Sequence, residues 1–300
     1  EERERTCEEL IHYFVKLHFK FASLPYYLNA KQDISVELHT KIAHYGAFIN
    51  YASIEMLIHG ATYFQNFYKN FISKKEVYEG APLISERPFE GIPAIISGAG
   101  PSLNNNLDLL GTLGEKALVF AGGSSLTALT NRGITPHFGA SVDPNPEQFE
   151  RMVDQSGFEV PTFYKARVFS KSLDCLNGPK LYLGGSVSYP VTDWMEKKLG
   201  IEGGPVLGEG YNVIHMLIDL AKNLGCNPIV LVGMDLAFTG MQLYASSVVP
   251  QDKTDVTKEE IIVNDNLNNN AFRRKGVYGE EVYTLWKWVA EAKYIAKYAQ

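Results

Sequence analysis

The sequence predicts an α/β protein built on a mostly parallel sheet with helices on both faces, preceded by a helical segment. Three observations carry this reading. From Gly91 onward, short apolar runs alternate with helical patterns, the rhythm of parallel strands joined by crossover helices. Runs such as Ala94 to Ile96 are apolar at successive positions rather than at every second one, as in strands covered on both faces. Before about residue 75 no strand-and-turn rhythm occurs, and apolar residues recur at roughly helical spacing.

Leu10, Phe14, Leu17 and Phe19, then Ile54, Leu57, Ile58 and Tyr63, mark this helical flank, expected over residues 1–80. His12, His18, His39, His44 and His59 lack metal-site spacing and read as ordinary surface or partly buried histidines. Tyr26, Tyr27, Tyr45 and Tyr51 read as core or interface aromatics. The proline and glycine content of residues 79–88 reads as a linker, with the α/β domain expected over 81–300.

Strands are expected at 94–97, 117–121, 138–142, 162–165, 181–183 and 229–232. The stretch from Pro93 to Leu103 organises the rest: a buried strand, a turn carrying Gly98 and Gly100, and a helix opened by Pro101 and Ser102. Leu103, Leu107 and Leu110 continue that helix at the right spacing. Unpaired amides at its start carry partial positive charge, so a nucleotide phosphate is a plausible occupant. A plain strand-to-helix connection is the competing account. A dinucleotide fingerprint requires glycine where Leu103 stands, and a Walker loop requires a lysine that is absent.

After the second strand, Gly122, Gly123, Ser124 and Ser125 open another helix, and capping accounts for a serine there. After the third, Asp143 stands between Val142 and Pro144, either facing a ribose hydroxyl or an acceptor, or closing an Asx turn. Gly208, Glu209, Gly210 and Asn212 precede a helix carrying Val213, Met216, Leu217, Leu220 and Leu224, a second start with small residues and free amides. On that helix His215 and Asp219 are spaced to make a surface pair. Asp235 again lies just past a strand, so three strand ends offer polar groups to one crevice. Residues 250–275, with the basic trio Arg273, Arg274 and Lys275, read as a polar loop or lid, and 286–298 as a final helix.

Composition narrows the classes. A 300-residue chain with 45% apolar content can bury a large core. The net charge of -6 gives no support for a nucleic-acid surface, and no apolar run reaches membrane length. Three scattered cysteines suggest neither a disulfide framework nor a zinc site, and a reducing cytoplasm is the expected compartment. A start at Glu1 and an end inside a helical pattern are expected of a piece of a longer protein.

Together, Pro93 to Leu103, Gly133 to Pro136 with Ser141 to Pro144, Leu231 to Phe238 and Gly279 to Thr284 resemble the motility accessory factor (Maf) family of flagellin glycosyltransferases. That family's central domain is shared with MptE-type 6-hydroxymethylpterin diphosphokinases. The Gly-Pro-Ser-Leu and Gly-Met-Asp-Leu elements are also similar to those of bacterial sialyltransferases. The resemblance implies a Rossmann-like, nucleotide-binding catalytic domain that takes a CMP-activated acid sugar and passes it to serine or threonine of a protein acceptor such as flagellin.

By the same resemblance Gly98, Gly100, Pro101 and Ser102 would hold the nucleotide phosphate, with Asn212 and Asp235 lining the site; Gly122, Ser124 and Gly208 are further candidates for nucleotide contact. The sialyltransferases use a late histidine as general base, and no histidine follows His215, so the base is unassigned; Asp143, Glu209 and Tyr244 are candidates to position an acceptor. No metal cofactor is required for that transfer. The diphosphokinase alternative would use ATP with magnesium on Asp143 and Asp235. A nucleotide-binding relative without catalysis is the third expectation.

Overall fold

The computed structural model of the 300-residue chain describes residues 22–35, 38, 42, 46, 60–72, 77–152, 159–185, 190–201, 207–208, 210–248 and 271–299. Strands β1 (Val77–Glu79), β2 (Ala94–Ser97), β3 (Leu118–Gly122), β4 (Phe138–Ser141), β5 (Thr162–Tyr164), β6 (Lys180–Tyr182) and β7 (Ile229–Val232) form one sheet in the order β1-β6-β5-β4-β3-β2-β7. Every pairing in it is parallel. The helices are α1 (Pro25–Ala30), α2 (Ala81–Glu86), α3 (Leu107–Gly111), α4 (Ser124–Thr130), α5 (Pro146–Met152), α6 (Ser170–Asp174), α7 (Pro190–Leu199), α8 (Val213–Asn223) and α9 (Trp286–Ala296). Residues 60–72 are also helical.

Period-two alternation splits each strand between two cores. Val119 and Ala121 of β3 face Leu103, Leu107, Leu126 and Leu129, whereas Ala94, Ile96 and Phe120 face Met216, Leu217 and Leu220 of α8. A helix-covered sheet of this kind is Rossmann-like, as the sequence predicts. All six expected strands are present within a residue or two of their expected limits.

Three expectations are corrected. The stretch 79–88 is no free linker: β1 pairs with β6 through Glu79 and Tyr182, and α2 buries Ile84. Its register comes from a partner strand a hundred residues away, which composition cannot reveal. Arg273 to Lys275, expected in a polar loop or lid, are part of β8 (Phe272–Lys275), antiparallel to β9 (Glu281–Thr284). The helix after β2 is broken: residues Pro101–Asn105 form a 3-10 helix, and α3 follows.

Helical residues 60–72 join the core through Tyr63 and Phe67. Tyr26 and Tyr27 meet edge to face at 5.6 Å and are exposed. Tyr45, Tyr51, the five flank histidines and most of the lid expected over 250–275 lie outside the described residues. Among the described residues no helix is long and apolar enough to cross a membrane.

Candidate functional site

The chain runs from β2 through β3, β4, β5 and β6 in one direction, then returns to place β7 on the other side of β2. The strand order therefore reverses between β2 and β7, and folds of this class bind ligands beyond the carboxyl ends at such a point. The turns that leave these two strands, 98–102 and 233–236, meet there.

They meet closely. The Gly98 amide donates to the Val232 carbonyl at 2.8 Å and the Gly100 amide to the Gly233 carbonyl at 2.9 Å. A β-carbon on Gly98 would collide with the Gly233 carbonyl oxygen, and one on Gly100 with the Asp235 carboxylate. The Ser102 amide donates to both Asp235 oxygens, at 3.2 and 3.1 Å, and its hydroxyl donates to Oδ2 at 2.7 Å. The expectation of open amides is corrected accordingly: the amides of Gly98, Gly100 and Ser102 bond to the 232–235 segment. The two glycines are explained by the approach of a second chain segment, which spacing along one stretch does not disclose. Pro101, buried, opens the 3-10 helix as expected.

At the end of β3 the Ser125 hydroxyl accepts from the Gly122 amide at 2.9 Å and donates to the Gly122 carbonyl at 3.0 Å. No side chain caps α4, whose N-cap is Gly123, so the serine-cap expectation is corrected; Ser124 is half-buried. A β-carbon on Gly122 would lie 2.5 Å from Cγ2 of Val213, which brings the amino end of α8 to the same edge of the sheet. Asp143 closes an Asx turn, its Oδ1 accepting from the Asn145 amide at 3.0 Å. Tyr244 is half-buried against the core, and the neighbouring Ala245 amide donates to the Ala99 carbonyl at 2.9 Å, which puts that segment beside the β2 turn. Glu209 lies outside the described residues.

The start of α8 is built from several caps. Asn212 is the N-cap, its side chain accepting from the His215 amide at 3.1 Å. The Gly208 amide donates to Asp219 at 2.7 Å, and the Tyr211 amide to Nδ1 of His215 at 2.8 Å. The surface pair expected of His215 and Asp219 is therefore absent. His215 is fully buried, Nε2 donating to the Glu291 carbonyl at 3.2 Å, and burial pushes its pKa down to about 4. It is neutral near pH 7, stacks on Tyr294 at 4.4 Å, and locks α9 onto α8. Burial raises the Glu291 carboxyl to about 7, against the opposing pull of Lys287 and of a hydrogen bond from Asn212.

Sequence reasoning missed the residues that hold the other strand ends. Nδ2 of Asn66 donates to the carbonyls of Pro144 and Arg167, at 2.9 and 3.2 Å, and Nδ2 of Asn70 to those of Ala166 and Val168, at 2.8 and 2.7 Å. The buried Lys165 ammonium donates to the Gly184 and Gly185 carbonyls, both at 2.9 Å. Glu196 accepts from the Gly185 amide and from the Tyr182 hydroxyl. Polar residues on the buried side of a helix were the available signal for Asn66 and Asn70.

The fold and this convergence define a doubly wound, Rossmann-like α/β protein whose polar turns meet where the strand order reverses. A family model described as 6-hydroxymethylpterin diphosphokinase MptE-like matches residues 65–241, more than half of the chain, and the chain belongs to that family. No curated protein matches it. Among solved structures, the MAf glycosyltransferase from Magnetospirillum magneticum AMB-1 superimposes with a TM-score of 0.48 and 16% identity, over 73% of this chain. This chain covers 34% of that protein.

Proposed function

We propose that the chain is the catalytic part of a nucleotide-dependent transferase that moves a nonulosonic, sialic-acid-like sugar from a CMP-activated donor to a serine or threonine hydroxyl of a protein such as flagellin. The observation that carries this reading is the polar convergence at the carboxyl ends of β2 and β7, where Ser102 and Asp235 meet. The donor would lie along the edge from this point toward Gly122 and Ser124. There the amino end of α8, with Gly208 and Asn212 at its start, turns the positive end of the helix dipole toward a phosphate. A departing CMP carries its charge on a phosphate, so preorganised dipoles at that position lower the barrier without a metal.

The family's description favours a second reading, diphosphate transfer from ATP to a pterin alcohol. Magnesium would then require carboxylates facing the nucleotide. Asp143 accepts the Asn145 amide on Oδ1, and Asp235 accepts the Ser102 amide and hydroxyl. Among the described residues no group of three or more histidine, cysteine or acidic side chains is gathered as a metal cradle. Asp143 and Asp235 stand in separate turns, and these carboxylates do not fit a magnesium site as they stand.

Thermal-shift titration with CMP, CTP, ATP and GTP, each with and without magnesium, separates the two. A ligand at a hundred times its Kd adds about 2.7 kcal/mol to the native state. Stabilisation by cytidine nucleotides that is indifferent to magnesium is the expected result. Magnesium-dependent stabilisation by ATP alone would replace the first reading with the second, and no shift with any nucleotide would remove both.

A further inference from the structure

We propose that Asp235 is the group that takes the proton of the acceptor hydroxyl, and that Ser102 and Thr284 are the residues that aim it. This rests on the transferase reading above, and it holds for a sugar or a diphosphoryl donor alike, because both acceptors attack through a hydroxyl.

Position comes first. The turns that leave β2 to β7 are 98–102, 123–125, 142–146, 165–169, 183–185 and 233–236, and they carry two carboxylates, Asp143 and Asp235. Asp143 is held in its Asx turn beyond β4, away from the point where the strand order reverses. Asp235 stands at that point and is half-buried, within reach of a ligand. Among the described residues, His215 engages both ring nitrogens, and Glu196 accepts from Tyr182 and Gly185.

Orientation follows from the hydrogen bonds. A carboxylate has about four acceptor sites. Among the described residues, the amide and the hydroxyl that donate to Asp235 both belong to Ser102, and the hydroxyl chooses Oδ2. The carboxylate is therefore gripped from one side, and the remaining lone pairs of Oδ1 can receive a proton from the other.

The backbone beyond it is strained in support. Leu236 has φ of 50°, in the left-handed region that a branched side chain rarely adopts. Such strain persists where the surroundings over-determine it. Here Thr284 Oγ1 donates to the Leu236 carbonyl at 2.7 Å and the Phe238 amide to the Tyr283 carbonyl at 2.9 Å. From the opposite side Gly100 clamps Gly233. Strand β9, far along the chain from β7, thus fixes the direction in which Asp235 points, which gives the Gly279 to Thr284 stretch a purpose.

In the step itself the acceptor O–H bond breaks and its proton passes to Oδ1 of Asp235. The acceptor oxygen bonds to the anomeric carbon of the donor, and the bond from that carbon to the donor phosphate oxygen breaks. Its electron pair stays on the CMP phosphate. In the diphosphoryl case the new bond is to phosphorus, and AMP leaves.

The test uses the full chain with CMP-N-acetylneuraminic acid and a serine- and threonine-bearing flagellin peptide, and in parallel with ATP, magnesium and a hydroxymethylpterin. Turnover and calorimetric CMP or ATP affinity are read for wild type, Asp235→Asn, Ser102→Ala and Thr284→Val. General-base catalysis contributes about 10²–10⁴-fold. Asp235→Asn is expected to lose at least about a hundredfold in kcat at nucleotide affinity within threefold of wild type, and to lose the acid limb of the pH profile. Ser102→Ala and Thr284→Val are expected to lower kcat about tenfold, with KM little changed and the acid limb retained. An Asp235→Asn protein that turns over within threefold of wild type, or that loses nucleotide affinity in step with rate, overturns the assignment while the transferase reading stands. A wild type that binds nucleotide but transfers to neither acceptor removes that reading, and the assignment with it.

Discussion

A β-carbon placed on Gly100 would fall on Oδ2 of Asp235, so the residue that looks like a phosphate-binding glycine is small because a carboxylate of the same chain fills the space. The two ends of the central strand pair are packed as tightly as a core, and the consequences are measurable.

Gly100→Ala should destabilise the fold by about 1–3 kcal/mol, the usual cost of overpacking. The introduced methyl pushes Asp235 off Ser102, so amide hydrogen exchange at Ser102 should also accelerate. Equilibrium unfolding in urea together with exchange measurements checks both, and an unchanged midpoint would show that the two turns are loosely held.

The buried pair at the α8–α9 contact makes stability depend on pH in two opposing senses. Glu291 has a folded pKa of about 7, above its ordinary 4.5, so its contribution is full below pH 4.5 and is lost as pH rises through 7. His215 has a folded pKa of about 4, below its ordinary 6.5, so its contribution is full above pH 6.5 and is lost as pH falls through 4. Between about pH 4.5 and 6.5 the two slopes oppose each other. Glu291→Gln removes one of them, and the stability of the variant should rise by up to about 3 kcal/mol from pH 4 to 6.5. Relative to wild type its advantage should grow until pH 7 and then level off. Urea midpoints across that range decide the matter, since parallel curves for the two proteins would mean that Glu291 titrates normally.

Asn70→Ala leaves the Ala166 and Val168 carbonyls without their donor. Buried carbonyls stripped of a partner cost about 1–3 kcal/mol. The loss should appear in global unfolding and as faster proteolysis between Lys165 and Phe169, the stretch that Asn70 ties to the helix at 60–72. Asn70→Asp, which replaces the donor by an acceptor, should be worse than alanine; equal effects would show that the amide serves as filling alone.

The strands of this protein were written locally. Ala94 to Ser97 and Ile229 to Val232 are short apolar runs bounded by proline and glycine, and backbone propensity with burial on both faces leaves such segments little choice but a parallel sheet. The helix of Val213 to Asn223 carries its own cap in Asn212 and an apolar stripe, both visible along the chain. The polar residues at the carboxyl ends of the strands were visible too, because small and acidic residues directly after strands stand out.

Their partnerships were not visible. Ser102 and Asp235 are 133 positions apart, and Asn70 and Val168 are 98 apart. Whether an amide faces a ligand or a carboxylate of its own chain depends on which strand lies next to which, and on where the order of strands reverses. Those facts are set by the packing of the whole sheet, through side chains that meet only after the chain has folded. Composition and spacing could name the residues at the edge; closure of the sheet determined which of them are spent on one another.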